Sequence, residues 1–255
     1  MPPRISVITV SYNSESTIAD TIRSMASQSY PHVEYIVVDG RSSDRTPDIL
    51  KEHNASISSW ISEPDSGIYD AMNKGLKMAT GDYVGFLNSD DFLASENAIQ
   101  EIAETLANTG ADATHGNCLI VDENDPSKTL RYYSSKHFRP WHLRFGNMPP
   151  HATVYARREQ LMLEKGFRTD LKIAADFDLL VRIFLKRRVS LTYVPGIISI
   201  NRNGGVSTRG INSTISINRE IYSSLKSNEI NSHPTLLWSR YLFKVWQLAN
   251  RPRAN

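Results

Sequence analysis

The sequence predicts an open, doubly wound α/β sheet, and three observations predict it. Short apolar runs rich in β-branched residues alternate with helix-forming stretches through the first 90 or so residues. Each of those runs ends in polar or acidic residues: Ser11-Tyr12-Asn13, Asp39-Gly40, Glu63-Pro64-Asp65 and Asn88-Ser89-Asp90-Asp91. With 255 residues and 40% hydrophobic content, the chain can bury the core of one large α/β domain or two small ones.

The elements follow in order. Ile5 to Tyr12 (ISVITVSY) reads as a buried strand, and Asn13 to Thr17 supplies cap residues for a helix ending near Ser27. Val33 to Val38 is a second buried strand, parallel to the first because a helix makes the crossover. A helix from Ser42–Asp44 to about His53, a strand near Ser58 to Ile61, a helix around Ala71 to Ala79 and a strand from Tyr83 to Leu87 complete the alternation. Beyond Asp91 the rhythm loosens. A helix is expected from Ser95 to Thr109, strands at Ala113–Val121 and Leu130–Tyr133 around a solvated acidic turn (Asp122 to Pro126), and a strand from Ala152 to Tyr155 after Pro149-Pro150. Ile173 to Arg182 opens another helix, Ile197 to Asn203 is a strand, and Asn212 to Ser227 a helix. Gly204-Gly205-Val206-Ser207 is either a loop that orders over a bound ligand or ordinary surface.

Composition excludes several classes. A net charge of +2 gives no global case for nucleic-acid binding. One cysteine, Cys118, excludes an internal disulfide and reads as a small buried residue. No stretch approaches the roughly 20 apolar residues of a membrane span. The opening MPPRISVITV runs into a strand without the regions of a signal peptide, so a cytoplasmic protein is expected.

In doubly wound sheets ligands sit at the carboxyl ends of the strands, so the four polar strand ends outline a site. Adjacent carboxylates at Asp90 and Asp91 repel unless a divalent cation or a set of donors lies between them, and oxygen ligands suit Mg²⁺ or Mn²⁺. The simpler reading is that Ser89-Asp90-Asp91 caps the next helix. Neither GxGxxG nor GxxxxGK[ST] occurs, which leaves a nucleotide held by base, ribose and metal rather than by a glycine cradle.

VSYN (Val10 to Asn13), VVDG (Val37 to Gly40) with Ser42, Asp44 and Thr46, EPDSGIYDAMNKG and GDYVGFLNSDD occur in that order. Together they resemble the family 2 glycosyltransferases of GT-A fold over about the first 100 residues. The resemblance implies a Rossmann-like nucleotide-binding mixed sheet flanked by helices. It implies that Thr9, Tyr12 and Asn13 line a nucleotide pocket, that Asp39 accepts a hydrogen bond from the base, and that Asp65, Asn73, Lys74, Asn88 and Ser89 contact the donor. Lys74 would add a positive charge, or lie in solvent as most surface lysines do. Asp90 would belong to the metal-binding DxD, with Asp91 and His151 as further candidate ligands; Asn88 stands where the family's first Asp often is. His151 resembles a position facing the donor, as a diphosphate contact, metal ligand or acceptor contact. Asp176 matches the family's catalytic base in an acidic helix-start motif whose Glu is here Ala175, and Asp178 should serve as a cap or structural partner.

The implied reaction is inverting transfer from a nucleotide sugar, with a UDP-sugar favoured, to an acceptor hydroxyl on a glycan or lipid-linked glycan of a bacterial surface polysaccharide. The expected organisation is a single domain over residues 1–210, with a donor half at 1–91 and an acceptor half at 92–210, and a helical extension at 211–255. Within that extension, residues 234–253 set two Trp, a Tyr and a Phe among Arg240, Lys244, Arg251 and Arg253, a pattern suited to the inner membrane surface. It equally suits packing on the domain or in a homodimer. Two other classes share these residues. A nucleotidyltransferase lacks support for want of a glycine-rich phosphate loop, and a non-catalytic nucleotide-sugar-binding scaffold is suggested only by Asn88 and Ala175.

Overall fold

The computed structural model describes residues 2–204, 210–233 and 235–237. The first half holds β1 (Ile5–Ser11), α1 (Ile18–Ala26), β2 (Val33–Asp39), α2 (Thr46–Glu52), β3 (Ser59–Ser62), α3 (Ile68–Met78) and β4 (Tyr83–Phe86). Then follow β5 (Phe92–Leu93), α4 (Ala98–Thr109), β6 (Ala113–Val121), β7 (Thr129–Tyr133), β8 (Tyr155–Arg157), α5 (Arg158–Leu163), α6 (Ala175–Leu180), β9 (Leu191–Arg202) and α7 (Gly210–Ser227).

One mixed sheet runs in the order β3-β2-β1-β4-β8-β6-β9-β5, with β7 beside β6. The pairs β3–β2, β2–β1 and β1–β4 are parallel, as alternating strand and helix dictate. Beyond β4 the sheet turns mixed: β8 pairs antiparallel with β4 and β6, while β9 runs parallel to β6. Because β1 is covered on both faces, all seven of its residues are buried, with Ile8 and Val10 feeding one core and Ile5 and Val7 the other.

Two glycines allow close approaches. A methyl group on Gly75 would lie 2.4 Å from Ile8 Cγ2, so its absence lets α3 settle directly on β1. At Gly85 a methyl group would meet the Tyr155 ring at 2.3 Å, so β4 can pair with β8 only by leaving that space empty.

Three expectations change. Asp90 and Asp91 do not cap a helix, because β5 intervenes and α4 begins only at Ala98 after Asn97. The strand expected at Ala152–Tyr155 instead opens with a 3₁₀ turn at His151–Thr153 and starts at Tyr155. The Thr153 hydroxyl bonds both Pro150 O and Gly116 O, which holds the chain in a turn. The helix opening at Ala175 continues as a π-helical stretch over Val181–Lys186. The loop expected at 204–207 lies outside the described residues beyond Gly204, and the amphipathic helix expected at 234–253 lies outside them except for 235–237. Among the described residues no helix is long and apolar enough to cross a membrane.

Gly85→Ala is expected to destabilise the protein by about 1–3 kcal/mol through overpacking against Tyr155. Thermal melting should show a loss of about 2–4 °C per kcal/mol. An unchanged melting temperature would show that the β4–β8 approach is not tight.

Candidate active site

The four polar strand ends meet along one edge of the sheet. At the β1–β2 end, Asp39 is fully buried and accepts from the hydroxyls of Ser11 (3.2 Å), Ser42 and Ser62 (2.6 Å) and from Ser42 N–H (2.9 Å). Asn13 takes the left-handed conformation (φ 49°), which Asn tolerates, and its Oδ1 accepts Ser43 N–H at 2.9 Å. Tyr12 stands 67% exposed beside this turn. A methyl group on Gly40 would lie 2.3 Å from Asp65 Oδ2 and 3.4 Å from the Tyr12 ring, so glycine lets Tyr12, Asp39 and Asp65 crowd one corner. Thr9, expected to line that pocket, lies beneath it: it is fully buried, and its hydroxyl bonds Tyr35 Oη at 3.2 Å.

The β4 end is tied to β1 and β9. Ser89 Oγ pairs with Ser14 Oγ at 2.8 Å. Asp91 is buried and accepts from Asn88 Nδ2 (3.2 Å), Asn201 Nδ2 (2.6 Å) and Arg202 N–H (3.1 Å). Both of its oxygens therefore accept hydrogen bonds from the surrounding chain, so Asp91 acts as a strut between this turn and β9. Asn88 spends its amide on that strut. Burial, followed by the charge of Asp90, pushes the Asp91 carboxyl well above the ordinary range despite its three donors.

The Asp90 side chain takes no hydrogen bond from any other described residue. Burial pushes its pKa up, and the Arg202 charge works against that shift. Arg202 itself donates to Asp90 O (2.8 Å) and to Asp20 Oδ2 (2.5 Å), and its guanidinium lies over Phe92 at 5.2 Å.

On α3, Lys74 is partly exposed but paired. It bonds Pro64 O at 2.6 Å and Glu63 at 2.8 Å, and the Glu63 hydrogen bond raises its pKa. Asn73 uses both ends of its amide on Phe167, accepting from its N–H and donating to its C=O, each at 2.8 Å, which holds the Phe167 backbone against α3.

The second carboxylate belongs to Asp176, in the first turn of α6, where its Oδ1 accepts Phe177 N–H at 2.7 Å. Asp176 and His151 share a small, mostly apolar pocket with Phe86, Val154, Phe167 and Leu180. The His151 ring stacks on Phe86 (5.6 Å) and meets Phe167 edge-on (5.9 Å), and neither buried ring nitrogen has a hydrogen-bond partner among the described residues. Burial pushes the Asp176 carboxyl up and the His151 imidazole down, and each group opposes the other's shift. The structure thus sets His151 beside Asp176.

Two positioning residues escaped the sequence reading. Glu220 of α7 accepts the backbone N–H groups of Lys172 (3.1 Å), Ile173 (2.9 Å) and Ala174 (2.9 Å), fixing the approach to α6 where Ala175 offers no carboxylate. Arg202 ends a strand about 110 residues beyond the turn it holds, and no local pattern marks either residue. Asp178, by contrast, has the structural role expected of it: fully buried, it bonds Arg182 (2.8 Å), Ser224 (2.8 Å) and Asn228 (3.0 Å).

Among the described residues no group of three or more His, Cys, Asp or Glu side chains could enclose a metal. Mg²⁺ and Mn²⁺ are commonly held by one or two carboxylates together with substrate phosphates, and the uncommitted oxygens of Asp90 fit that mode.

Residues 6–167 match the family model described as Glycosyl transferase family 2. A glycosyltransferase named for teichuronic acid biosynthesis in Bacillus subtilis is 37% identical over 127 residues, 49% of this chain and 50% of that one. The chain spans about half the length of the curated relatives it matches. Staphylococcus aureus TarS in complex with UDP-GlcNAc superposes with TM-score 0.70 at 20% identity, covering 92% of this chain and 70% of that one. The Pyrobaculum calidifontis mannosyltransferase in complex with GDP-Man and Mn²⁺ gives 0.67 at 21%, covering 98% and 73%. These structural likenesses show a common GT-A fold.

Asp178→Ala should cost about 3–5 kcal/mol, because Arg182 would lose the nearer of its two carboxylate partners and the buried donors of Ser224 and Asn228 would lose their acceptor. Chemical denaturation of the variant checks this, and a loss below about 1 kcal/mol would contradict the structural role.

Proposed function

The chain belongs to glycosyl transferase family 2, and from that premise we propose that it transfers a sugar, with inversion, from a UDP-sugar to an acceptor hydroxyl. The observation that carries the reading is the convergence of the polar strand ends on an Asp90 carboxylate that no other described residue engages. Residues 1–91 serve the donor and residues 92–210 the acceptor.

Tyr12, Asn13, Asp39 and Asp65 surround the base and ribose. The serine hydroxyls around Asp39 rotate at little cost, so a base N–H can take the place of one of them. Asp90, with Ser89 beside it, would hold Mn²⁺ or Mg²⁺ at the donor's leaving-group side. The ion, when bound, neutralises charge on the departing nucleoside diphosphate. Asp91 and Arg202 keep the Asp90 turn rigid. Asp176 takes the proton from the acceptor hydroxyl as that oxygen attacks the anomeric carbon opposite the diphosphate, and no covalent intermediate forms. Burial raises Asp176 toward neutral pH, where a carboxylate is a more effective base. His151 and the aromatic rings around it keep water from the carboxylate. The TarS and mannosyltransferase complexes support nucleotide-sugar donors and a metal. The name of the teichuronic acid relative supports a polysaccharide acceptor; that this acceptor is lipid-linked, at the inner membrane face, is part of the proposal.

Incubation with a panel of UDP-, GDP-, dTDP- and CMP-sugars and Mn²⁺ tests the class: metal-dependent release of one nucleoside diphosphate is expected. No release and no donor-induced thermal shift from folded protein would overturn it. Asp176→Asn should lower transfer by about 10²–10⁴-fold, the usual contribution of a general base, while UDP-sugar binding stays unchanged. Retained turnover would remove Asp176 from the role. Because only the ionised base works, and its folded pKa is raised, the acid limb of kcat/KM should lie above the ordinary Asp range near 3.9. A limb at or below that range would contradict the burial argument.

A further inference from the structure

Between Pro126 and Arg158 the chain contains no Asp or Glu, yet it carries Lys128, Arg131, Lys136, Arg139, Arg144, Arg157 and Arg158. The rest of the chain is therefore net acidic although the whole is +2. Within the stretch, Arg157 is paired with Asp112 and Arg131 lies over the Tyr133 ring. Lys136, His137, Arg139, Trp141 and Arg144 are exposed, and among the described residues no carboxylate forms an ion pair with Lys136, Arg139 or Arg144.

These side chains stand on a fixed support. Phe138 and Leu143 are buried in the core from the same segment. The 3₁₀ turn Pro140–Phe145 is closed by Arg139 N–H on His142 Nδ1 at 3.0 Å, and Ser232 Oγ bonds Arg144 O at 2.7 Å. Trp141 lies against His142 (4.0 Å between ring centres) and edge-on to Phe145 (5.7 Å), yet it remains 53% exposed. The turn thus presents a propped indole among unpaired cations, with its apolar residues turned inward.

We propose that this turn, Lys136 to Phe145, is the surface by which the protein docks on an anionic lipid bilayer. Charge complementarity favours that occupant, since unpaired Lys and Arg side chains gain most beside lipid phosphates, and an indole with one wet edge suits the headgroup zone. The turn is joined by Gly146 to Pro150 to His151 in the apolar pocket, so the segment that would meet the bilayer continues into the pocket that holds Asp176. The inference deepens the reading above, in which the acceptor is held on a lipid, and it is separable from that reading because docking needs neither donor nor metal.

The test is co-sedimentation of the full chain with vesicles of phosphatidylcholine alone or with 30% phosphatidylglycerol. Binding to the anionic vesicles only, weakened by salt, is expected. At about fivefold per cation, Lys136→Ser/Arg139→Ser/Arg144→Ser should weaken binding about 100-fold, and Trp141→Ser should weaken it further. Melting temperature and nucleotide release from the UDP-sugar should stay at wild-type values in both variants. Wild-type binding that survives in the triple variant would overturn the proposal. So would a wild type that ignores vesicles, or one that prefers a soluble anionic polysaccharide; that last result would make the turn a glycan site. Lost nucleotide release in wild type with intact vesicle binding would instead strike the catalytic reading alone.

Discussion

The buried carboxylate of Asp91 is the constraint on which the site depends. It gathers Asn88 from its own turn and Asn201 and Arg202 from the end of β9, carrying the β5–β9 pairing into the turn that follows β4. A carboxylate taken out of water persists only where donors replace its hydration, and here three N–H groups do so. With Asp91 turned inward, the next residue back is left at the site edge with its own oxygens free. One acid of the pair supplies rigidity and the other chemistry, and neither could take the other's place without moving the turn.

The acceptor side follows the same logic with different partners. Asp176 depends on a helix start that α7 builds from outside: Glu220 collects three backbone N–H groups just before α6, and Ser224 and Asn228 hold Asp178 one turn further along the same helix face. Glu220 and Ser224 of α7 and Asn228 just past its end are spaced four apart, so one face of the helix and its exit supports the whole segment. Asp176 and Asp178 are two residues apart and therefore face different surroundings. One is a base candidate beside an aromatic wall, and the other is a buried ion-pair partner of Arg182.

The donor half was legible in the sequence because local rules govern it. Continuous apolar runs gave β1, β2 and β4, crossover helices made them parallel, and polar strand ends marked the site edge. What escaped was non-local. The β9 end and α7 reach back across 46 to 112 residues to hold Asp90, Asp91 and the α6 start, and such contacts leave no periodicity behind. Thr9, Asn73 and Asp91 stand at motif positions, and each also holds the surrounding chain: Thr9 through Tyr35, Asn73 through Phe167 and Asp91 through Asn201. The 3₁₀ turn at His151 was missed because Thr153, a good strand former, spends its hydroxyl on two carbonyl groups there.

The central claim is that Asp90, held out by Asp91 and Arg202, meets the donor diphosphate through a divalent cation. Calorimetric titration of UDP into wild-type protein and into Asp90→Asn, each with and without Mn²⁺, tests it most directly. The account predicts that Mn²⁺ tightens UDP binding to the wild type by at least about tenfold, or 1.4 kcal/mol, and leaves the variant unchanged. Equal tightening in both proteins, or none in the wild type, would contradict it.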